Sequence, residues 1–482
     1  MYEVLLPLIL FIVLTFIIGL WMSRKVQVSN SFLGEYFIGN RELGGLVLAM
    51  TMVATYGSAS SFLGGPGAAY SYGLGWVLLA MTQVATGYFV LLILGKKYAI
   101  VTRKYKAITL IDFLKERYKS PFVVIVAALS IFVFLFSAMA AQWIGGAYLI
   151  QSITNLTYIS ALFIFTIAVL IYVIIGGFRA VAITDLFQGI VMFGGTLILL
   201  IAVIIAGGGI ENIINDLMNE NPNLITPFGN ERQLSAAYVS SFWILVGVGV
   251  VGLPQVAVRA MSYRDSKSMH RALIIGTIVV GFIMLNMHLI GVFARPILPG
   301  IEVADQVIPL VSLDVLPGWL AGIVLAAPLA AIMSTVDSLL LLVSSSIVKD
   351  VYINYIHPKA SNKHVKNISM GITGFIGVIV FLMAIDPPQL IVYLNLFAFG
   401  GLEAAFIWPI VLGLYWKYGN KYGAMASMVT GISSYIVIYL YNSEYGNLFG
   451  VHAVVIPVLL SLIAYIIFSL AIKRRVYEFE LK

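Results

Sequence analysis

Residues 54 to 67 read Ala-Thr-Tyr-Gly-Ser-Ala-Ser-Ser-Phe-Leu-Gly-Gly-Pro-Gly, inside an apolar segment that runs from 44 to 72. Four glycines, a proline and several hydroxyl groups are unusual in the middle of so long an apolar segment. Proline removes a backbone donor and glycine favours unwinding, so the stretch predicts a helix that is broken at mid-membrane depth. Carbonyl oxygens freed at such a break have no partner in lipid, but they can bind a cation.

The composition excludes a water-soluble protein. The 482 residues are 61% hydrophobic and 10% charged, whereas soluble domains usually carry about 25% charged residues. Backbone groups inside a bilayer must pair within their own segment, and the alternating segments of a β-barrel are absent, so we expect an all-α integral membrane protein. The chain has no cysteine, which rules out disulfides and thiolate metal sites.

Apolar runs bounded by turns and charges predict thirteen transmembrane helices. The predicted ranges are 4–22, 44–72, 74–95, 122–150, 158–176, 181–206, 237–260, 272–294, 317–347, 367–385, 388–416, 421–441 and 451–472. Placing the N-terminus outside and the C-terminus in the cytoplasm puts every Lys and Arg on the cytoplasmic side except Arg232 and Arg295. The positive charge therefore indicates orientation and lipid contact, and no nucleic-acid partner is expected.

A second interruption indicates an internal repeat. The seventh predicted span contains Gly247-Val-Gly-Val-Val-Gly-Leu-Pro254-Gln255, and the two breaks begin successive groups of five spans, 44–206 and 237–416. Broken helices at matching positions of two halves are typical of transporters with inverted repeats. The remaining parts are an N-terminal helix with its loop (1–43), an external loop (207–236) and two C-terminal helices with a basic tail (417–482). The alternative is a pair of glycine-rich packing helices.

Ionisable residues inside the spans are candidates for function, because an isolated charge is costly in a membrane. Of the 21 acidic residues, only Asp185, Asp337 and Glu403 fall inside predicted spans. Glu403 contacts the solute or simply bonds a neighbouring helix. His288 is more typical of a packing residue, and no Lys or Arg falls in the middle of a span.

The ninth span places several oxygen-bearing side chains within two helical turns. Ser334 and Thr335 are adjacent hydroxyl residues, and Asp337 and Ser338 follow them. Sodium is a hard cation that favours oxygen ligands. The two hydroxyls, the carbonyl of Ala331 and carbonyls of the break at Ala54 and Gly57 predict a sodium site. The alternative is that both hydroxyls bond only to their own helix.

At these residues the chain resembles the sodium:solute symporter family over nearly its whole length. The matching stretches are 30–46 with Glu35-Tyr-Phe-Ile-Gly-Asn-Arg41, 54–76, 109–118, 176–180, 184–188, 252–267, 330–338 and 395–404. The resemblance implies a ten-helix inverted-repeat core of the APC/LeuT type, with alternating access and Na⁺ as the coupling ion. It assigns the sodium ligands to Ala54, Gly57, Ala331, Ser334 and Thr335. It also implies a possible second sodium at Asp185, Asp337 and Ser338.

The resemblance also gives an expected solute and its site. Stretches 60–70, 252–267 and 395–404 resemble members that carry pantothenate, and the alternative is another small organic solute such as a monocarboxylate, an amino acid or a sugar. Tyr56 stands where proline-carrying relatives have an aspartate, which puts a one-to-one transfer of sodium ligands in doubt there. The expected solute residues, of which only Ser60, Ser61, Gln255 and Asn395 match contact positions of relatives, are Tyr56, Ser60, Ser61, Gln83, Ser137, Gln142, Gln255 and Asn395.

Other classes of function fit the sequence less well. Asp185 and Asp337 lack the Gly-x-Gly-Asp setting of an intramembrane aspartyl protease, and no His-Glu-x-x-His metal motif is present. The paired breaks favour alternating access over a channel or a sensor. We therefore expect no enzymatic activity, contact with membrane lipid, and no obligatory protein partner.

Overall fold

The computed structural model describes residues 2–26, 38–176 and 178–472, and these are almost entirely helical. The basic stretch from Lys473 to Arg475 and much of the stretch from Asn30 to Arg41 lie outside the described residues. The helices are α1 (Tyr2–Val26), α2 (Gly45–Tyr56), α3 (Gly65–Tyr72), α4 (Leu74–Ala80), α5 (Thr86–Ile93), α6 (Lys97–Lys104), α7 (Leu110–Tyr118), α8 (Pro121–Ile153), α9 (Tyr158–Gly176), α10 (Phe178–Ala206), α11 (Ile210–Glu220), α12 (Ala236–Phe242), α13 (Pro254–Ser262), α14 (Ser266–Ile297), α15 (Val307–Val315), α16 (Gly318–Ser345), α17 (Asn362–Met383), α18 (Val392–Tyr415), α19 (Lys421–Tyr445) and α20 (Val455–Ala471).

The predicted all-helical membrane fold is confirmed. In the described part of the chain, nine helices are long and apolar enough to cross a membrane, and two bent pairs raise the number to eleven. Two shorter apolar helices, α9 and α20, complete the set. Each predicted range overlaps one of these helices or pairs. How many of them cross the bilayer, and in which direction, stays a prediction.

Both predicted breaks are confirmed. Gly45–Tyr56 and Ser60–Tyr72 form one pair bent by 65°, and Ala236–Gly252 and Pro254–Ser262 form another bent by 54°. Gly57 is extended at the first break, with ψ of 116°. Leu253 is extended at the second, because the residue before a proline is disfavoured in the helical region.

Helix α16 lies at the centre of the bundle. In its extended span, Gly318–Ile356, 83% of the most apolar window is buried. Small residues let its neighbours approach closely: a Cβ at Gly195 of α10 would lie 2.7 Å from Ala327, and one at Gly322 would lie 2.4 Å from the Val4 carbonyl of α1. Such close packing is how helices associate in lipid. It fixes α16 firmly opposite the first break.

Polar contacts join the helices at both ends of the bundle. At one end, the Arg117 side chain donates to a carbonyl at the C-terminal end of α18 at 2.7 Å, and Lys349 pairs with Asp112 at 3.3 Å. At the other end, Arg295 of α14 pairs with Glu220 of the surface helix α11 at 2.7 Å. Polar contacts between helices therefore lie at both ends of the bundle that contains the broken helices.

Candidate functional site

The first break releases backbone groups that side chains then satisfy. Helix α2 ends at Tyr56, and the chain resumes as a π-helical turn, Ser60–Gly64, before α3. The Ser61 hydroxyl donates to the Tyr56 carbonyl at 2.8 Å, and the Ala59 amide donates to the Gln142 side chain at 2.7 Å. The carbonyls of Ala54 and Gly57 face away from these contacts, toward α16.

Helix α16 presents two hydroxyl groups to those carbonyls. Ser334 Oγ lies 3.0 Å from the Ala54 oxygen, and Thr335 Oγ1 lies 2.7 Å from the Gly57 oxygen. Both hydroxyls also lie 3.0 Å from the Ala331 carbonyl of their own helix. The structure therefore brings together all five oxygens that the sequence analysis assigned to the sodium site.

The five oxygens have the chemistry that a small monovalent cation needs. They are neutral, they come from both sides of one helix–helix contact, and Ser334 and Thr335 are at most 5% exposed. A hard cation of similar size takes oxygens at about 2.3–2.6 Å. Coordination would therefore need only rotation of the two hydroxyl hydrogens and a small outward movement of the ligands.

A narrow cavity of about 40 Å³ lies beside the break. Five of the eight predicted solute residues line it: Tyr56, Ser60, Ser61, Gln83 and Asn395. The Tyr56 and Ser60 hydroxyls have no hydrogen-bond partner within the described residues. Two donors are thus available to a polar solute in the cavity.

Comparison with known proteins identifies the family of this chain. The model of the sodium:solute symporter family matches residues 36–431. The chain belongs to the sodium:solute symporter family. Similar relatives are the sodium/pantothenate symporters of Haemophilus influenzae (47% identical, 99% of this chain and 98% of the relative) and Escherichia coli (48% identical, 96% of each). The fold matches a solved Na⁺-coupled sialic acid symporter with a TM-score of 0.79, 19% identity and 98% coverage of both chains.

Family membership and the apolar helices make the chain a multi-pass plasma-membrane protein.

The candidate second sodium site contains a cationic side chain. Arg259 Nη2 lies 4.0 Å from Asp185 and donates to Ser338 at 2.5 Å. Thr51 donates to the same Asp185 oxygen at 2.5 Å. Arg259 is only 2% exposed, so the bundle buries a cationic side chain; the expectation that no Lys or Arg lies in the middle of a span stays a prediction. Asp337 is also buried, on the same helix as Ser338.

Three predicted solute residues of this family member do not line the cavity. Ser137 donates to the Leu394 carbonyl at 2.9 Å. Gln142 caps the second half of the broken helix through its bond with Ala59 and donates to the Ala138 carbonyl at 3.1 Å. Gln255 lies on α13 beside the second break and is buried. Polar residues at the right depth therefore satisfy backbone groups as readily as they face the solute.

The sequence analysis missed the apolar walls of the cavity. Trp76, Phe242, Val246 and Phe399 line it together with the polar residues. Aromatic residues occur in every predicted span, so composition gives no signal for which of them face the cavity. Their position indicates a solute with an apolar portion.

His288 combines packing with a place in the cavity. Its Nδ1 lies 2.6 Å from the Met284 carbonyl, as expected of a packing histidine. Its Nε2 lies against the first broken helix, where a Cβ at Gly65 would be 2.4 Å away. His288 therefore lines the cavity and also requires glycine at position 65.

Glu403 makes no hydrogen bond to a neighbouring helix within the described residues, and its contact with the solute stays a prediction. It is fully buried on α18, and neither carboxyl oxygen has a hydrogen-bond partner within residues 2–26, 38–176 and 178–472. It is also not among the residues that line the cavity.

The loop between α14 and α15 packs on the first broken helix. Asp305 accepts a hydrogen bond from the Ile391 amide, where α18 begins, at 2.9 Å. The adjacent Ala304 packs on Gly67, where a Cβ would lie 2.6 Å from the Ala304 oxygen. Burial raises the pKa of Asp305 to about 7, although the Ile391 hydrogen bond lowers it. The loop therefore places a buried carboxyl group between the first broken helix and the start of α18.

Proposed function

We propose that this chain is a sodium-coupled symporter that imports pantothenate by alternating access. The observation that carries the proposal is the convergence of the Ala54, Gly57 and Ala331 carbonyls with the Ser334 and Thr335 hydroxyls. The relatives that are 47% and 48% identical over almost the whole chain are named as sodium/pantothenate symporters, which supports the choice of solute.

We further propose the predicted topology of thirteen spans, with the N-terminus outside, the C-terminus in the cytoplasm and two inverted repeats at 44–206 and 237–416. The two bent pairs support it, because each begins one of the repeats. The positions of the basic residues support the orientation.

Binding of the solute would use hydrogen bonds rather than a cationic side chain. Pantothenate has a carboxylate, an amide, two hydroxyls and a branched apolar portion. No Lys or Arg lines the described cavity. The N-terminal end of the Ser60–Tyr72 half lies at the cavity, where the helix dipole favours a negative charge. The unpartnered hydroxyls of Tyr56 and Ser60 suit the polar groups, and the aromatic wall suits the branched portion.

Sodium bound between the first broken helix and α16 would hold these two elements together, and alternating access requires them to separate when the site opens. Each sodium that enters down an inward-negative potential supplies about 2.3 kcal/mol per 100 mV. Transport of one sodium ion with one pantothenate anion is electroneutral, and transport of two sodium ions with one anion is electrogenic. A second sodium at Asp185 would require the Arg259 guanidinium, 4.0 Å away, to move aside. This favours one sodium.

Uptake of labelled pantothenate into proteoliposomes tests the function directly. We expect uptake to need an inward sodium gradient and to resist competition by proline and sugars. Equal uptake without sodium would refute the coupling, and preferential transport of another monocarboxylate, an amino acid or a sugar would establish the alternative solute. A membrane potential applied at a fixed sodium gradient reports the stoichiometry, because only electrogenic transport responds to it. If a second sodium site exists, Asp185→Asn changes the sodium Hill coefficient.

A further inference from the structure

Glu403 is a buried acidic residue without a hydrogen-bond or ion-pair partner within the described residues. The side chain has no solvent exposure, and both carboxyl oxygens lack a hydrogen-bond partner within the described residues. No ion pair of Glu403 is present in that part of the chain either. An ionised carboxylate in such surroundings is very costly, whereas a protonated carboxyl group is neutral.

The position of Glu403 connects the second break with the cavity. A Cβ at Gly249 would lie 2.5 Å from Glu403 Oε2, and one at Gly252 would lie 3.2 Å from the Glu403 Cα. The carboxyl group therefore packs on the glycine backbone of the second broken helix. One turn earlier on α18, Phe399 lines the cavity. Glu403 thus lies just behind the cavity wall, at a joint that has to move during transport.

The groups around Glu403 do not supply a positive charge. The phenol groups of Tyr56 and Tyr435 are close enough to interact with it electrostatically. Arg117 contacts α18 at Gly413, nearly three turns further along the helix, and His288 lies elsewhere on the cavity lining. The titratable side chains that face α18 from the elements packed against it include two cations, Lys97 at Tyr415 and Arg117 at Gly413, which both meet the C-terminal end of the helix. The others are Tyr56, Tyr72, Tyr118, Asp305, Tyr435, Tyr439 and Tyr465.

We propose that Glu403 is a proton-binding site whose occupancy is linked to solute binding. The carboxyl group holds its proton while the two broken helices enclose the cavity. When the joint at Gly249 opens and water enters, the O–H bond breaks and the proton passes to water. The carboxylate then places a full negative charge beside the cavity and repels an anionic solute. The inference rests on the proposed function for its anionic solute.

The test is the pH dependence of pantothenate affinity at saturating sodium, measured on the purified full-length protein between pH 5.5 and 8.5. The carboxylate of free pantothenate stays ionised over this range, since carboxyl groups titrate near pH 4. For the wild type we expect the Kd to rise with pH, by at most about tenfold per pH unit for one linked proton. Glu403→Gln should give a flat profile near the low-pH affinity of the wild type, and Glu403→Asp should restore the slope.

Two controls separate Glu403 from Asp305 and His288, which are other titratable groups near the site. Asp305→Asn removes the carboxyl group at the N-terminal end of α18 and should keep the pH slope. His288→Gln changes the cavity lining and its affinity, but it should keep the pH slope. A slope that persists in Glu403→Gln, or a flat profile in the wild type, overturns the proton site.

A second measurement does not depend on the folding of any variant. Calorimetry of wild-type pantothenate binding at pH 7.5, in buffers with different ionisation enthalpies, counts the protons taken up. We expect up to one proton per solute, and a count of zero overturns the proposal. Absence of pantothenate binding at every pH would instead overturn the proposed function, and a different solute that binds would then be used for the same count.

Discussion

Removing the two hydroxyls of α16 should abolish sodium coupling while leaving the protein folded. In Ser334→Ala with Thr335→Ala, two of the five converging oxygens are lost, and the carbonyls of Ala54 and Gly57 lose donors at 3.0 and 2.7 Å. A hydrogen-bonding group that faces a charge contributes about 1.5–3 kcal/mol. Two of them give roughly 3–6 kcal/mol, which corresponds to about a hundred- to ten-thousand-fold in sodium affinity.

The assay is a sodium titration of labelled pantothenate uptake in proteoliposomes, paired with the shift in melting temperature that sodium causes in the purified protein. Ligand binding raises the stability of the folded state by an amount that depends on ligand concentration over Kd. We expect the double variant to lose both the sodium-stimulated uptake and the sodium-dependent shift.

A matched control removes two other buried hydroxyls from membrane helices. Ser130 and Thr166 each donate only to a carbonyl of their own helix, four residues earlier, at 2.7 Å. Ser130→Ala with Thr166→Ala should therefore retain the wild-type sodium response. The sodium site would be refuted if the α16 variant showed a sodium affinity within about threefold of the control.

Three further perturbations test the packing around the site. Burial raises the pKa of Asp305 from an ordinary 3.8 to about 7, so the folded protein holds this proton more tightly than the unfolded chain. The stabilisation is therefore full below pH 3.8 and is lost as the pH rises to about 7. The melting temperature of the wild type should fall over this range, and that of Asp305→Asn should not. Arg259→Gln should cost about 3–5 kcal/mol because it leaves Asp185 buried without its cation, and Arg259→Gln with Asp185→Asn should recover much of the loss in melting temperature. Gly65→Ala should destabilise the protein by about 1–3 kcal/mol through contact with His288, and His288→Ala should relieve it.

Each of these predictions has an outcome that contradicts it. Parallel melting profiles for Asp305→Asn and the wild type between pH 4.5 and 7.5 would show that the loop carboxyl group does not titrate there. Additive losses in the Arg259 and Asp185 cycle would show that the two residues do not interact. For Gly65, the control is Gly374→Ala, since nothing lies within 4 Å of a Cβ there. Equal melting temperatures for the two glycine variants would contradict the contact.

The helices and their breaks could be predicted because they depend on local chemistry. Apolar length decides a membrane helix, and the glycines and prolines at 57–67 and 247–254 decide where two of them bend. The convergence of the α16 hydroxyls with the freed carbonyls could also be predicted, since few other groups in a membrane helix offer oxygens to a hard cation.

The residues that line the cavity could not be predicted with the same success, because the direction of a polar side chain depends on its neighbours. Gln142 and Gln83 look alike in the sequence, yet Gln142 bonds to the Ala59 amide and Gln83 lines the cavity. The difference is that the break frees an amide within reach of Gln142. A single sequence does not contain that distance.

The contact between Arg259 and Asp185 could not be predicted for a related reason. It lies at the end of the predicted span 237–260, where positive residues usually reach the membrane surface. The 54° bend after Gly252 instead turns α13 back into the bundle and brings Arg259 to Asp185 and Ser338. The sequence shows that the helix breaks but gives no direction for the half that follows.

The same hydrogen bonds explain how one cation can control the position of a whole helix. Without a cation, Ser334 and Thr335 can satisfy the carbonyls of Ala54 and Gly57 only as donors, at 2.7 to 3.0 Å. With a cation between them, all five oxygens would become acceptors toward one charge, so the contact between α2 and α16 would depend on sodium under the proposed function. Because Tyr56, Ser60 and Ser61 flank the same break and line the cavity, fixing the break would also fix the residues that meet the solute.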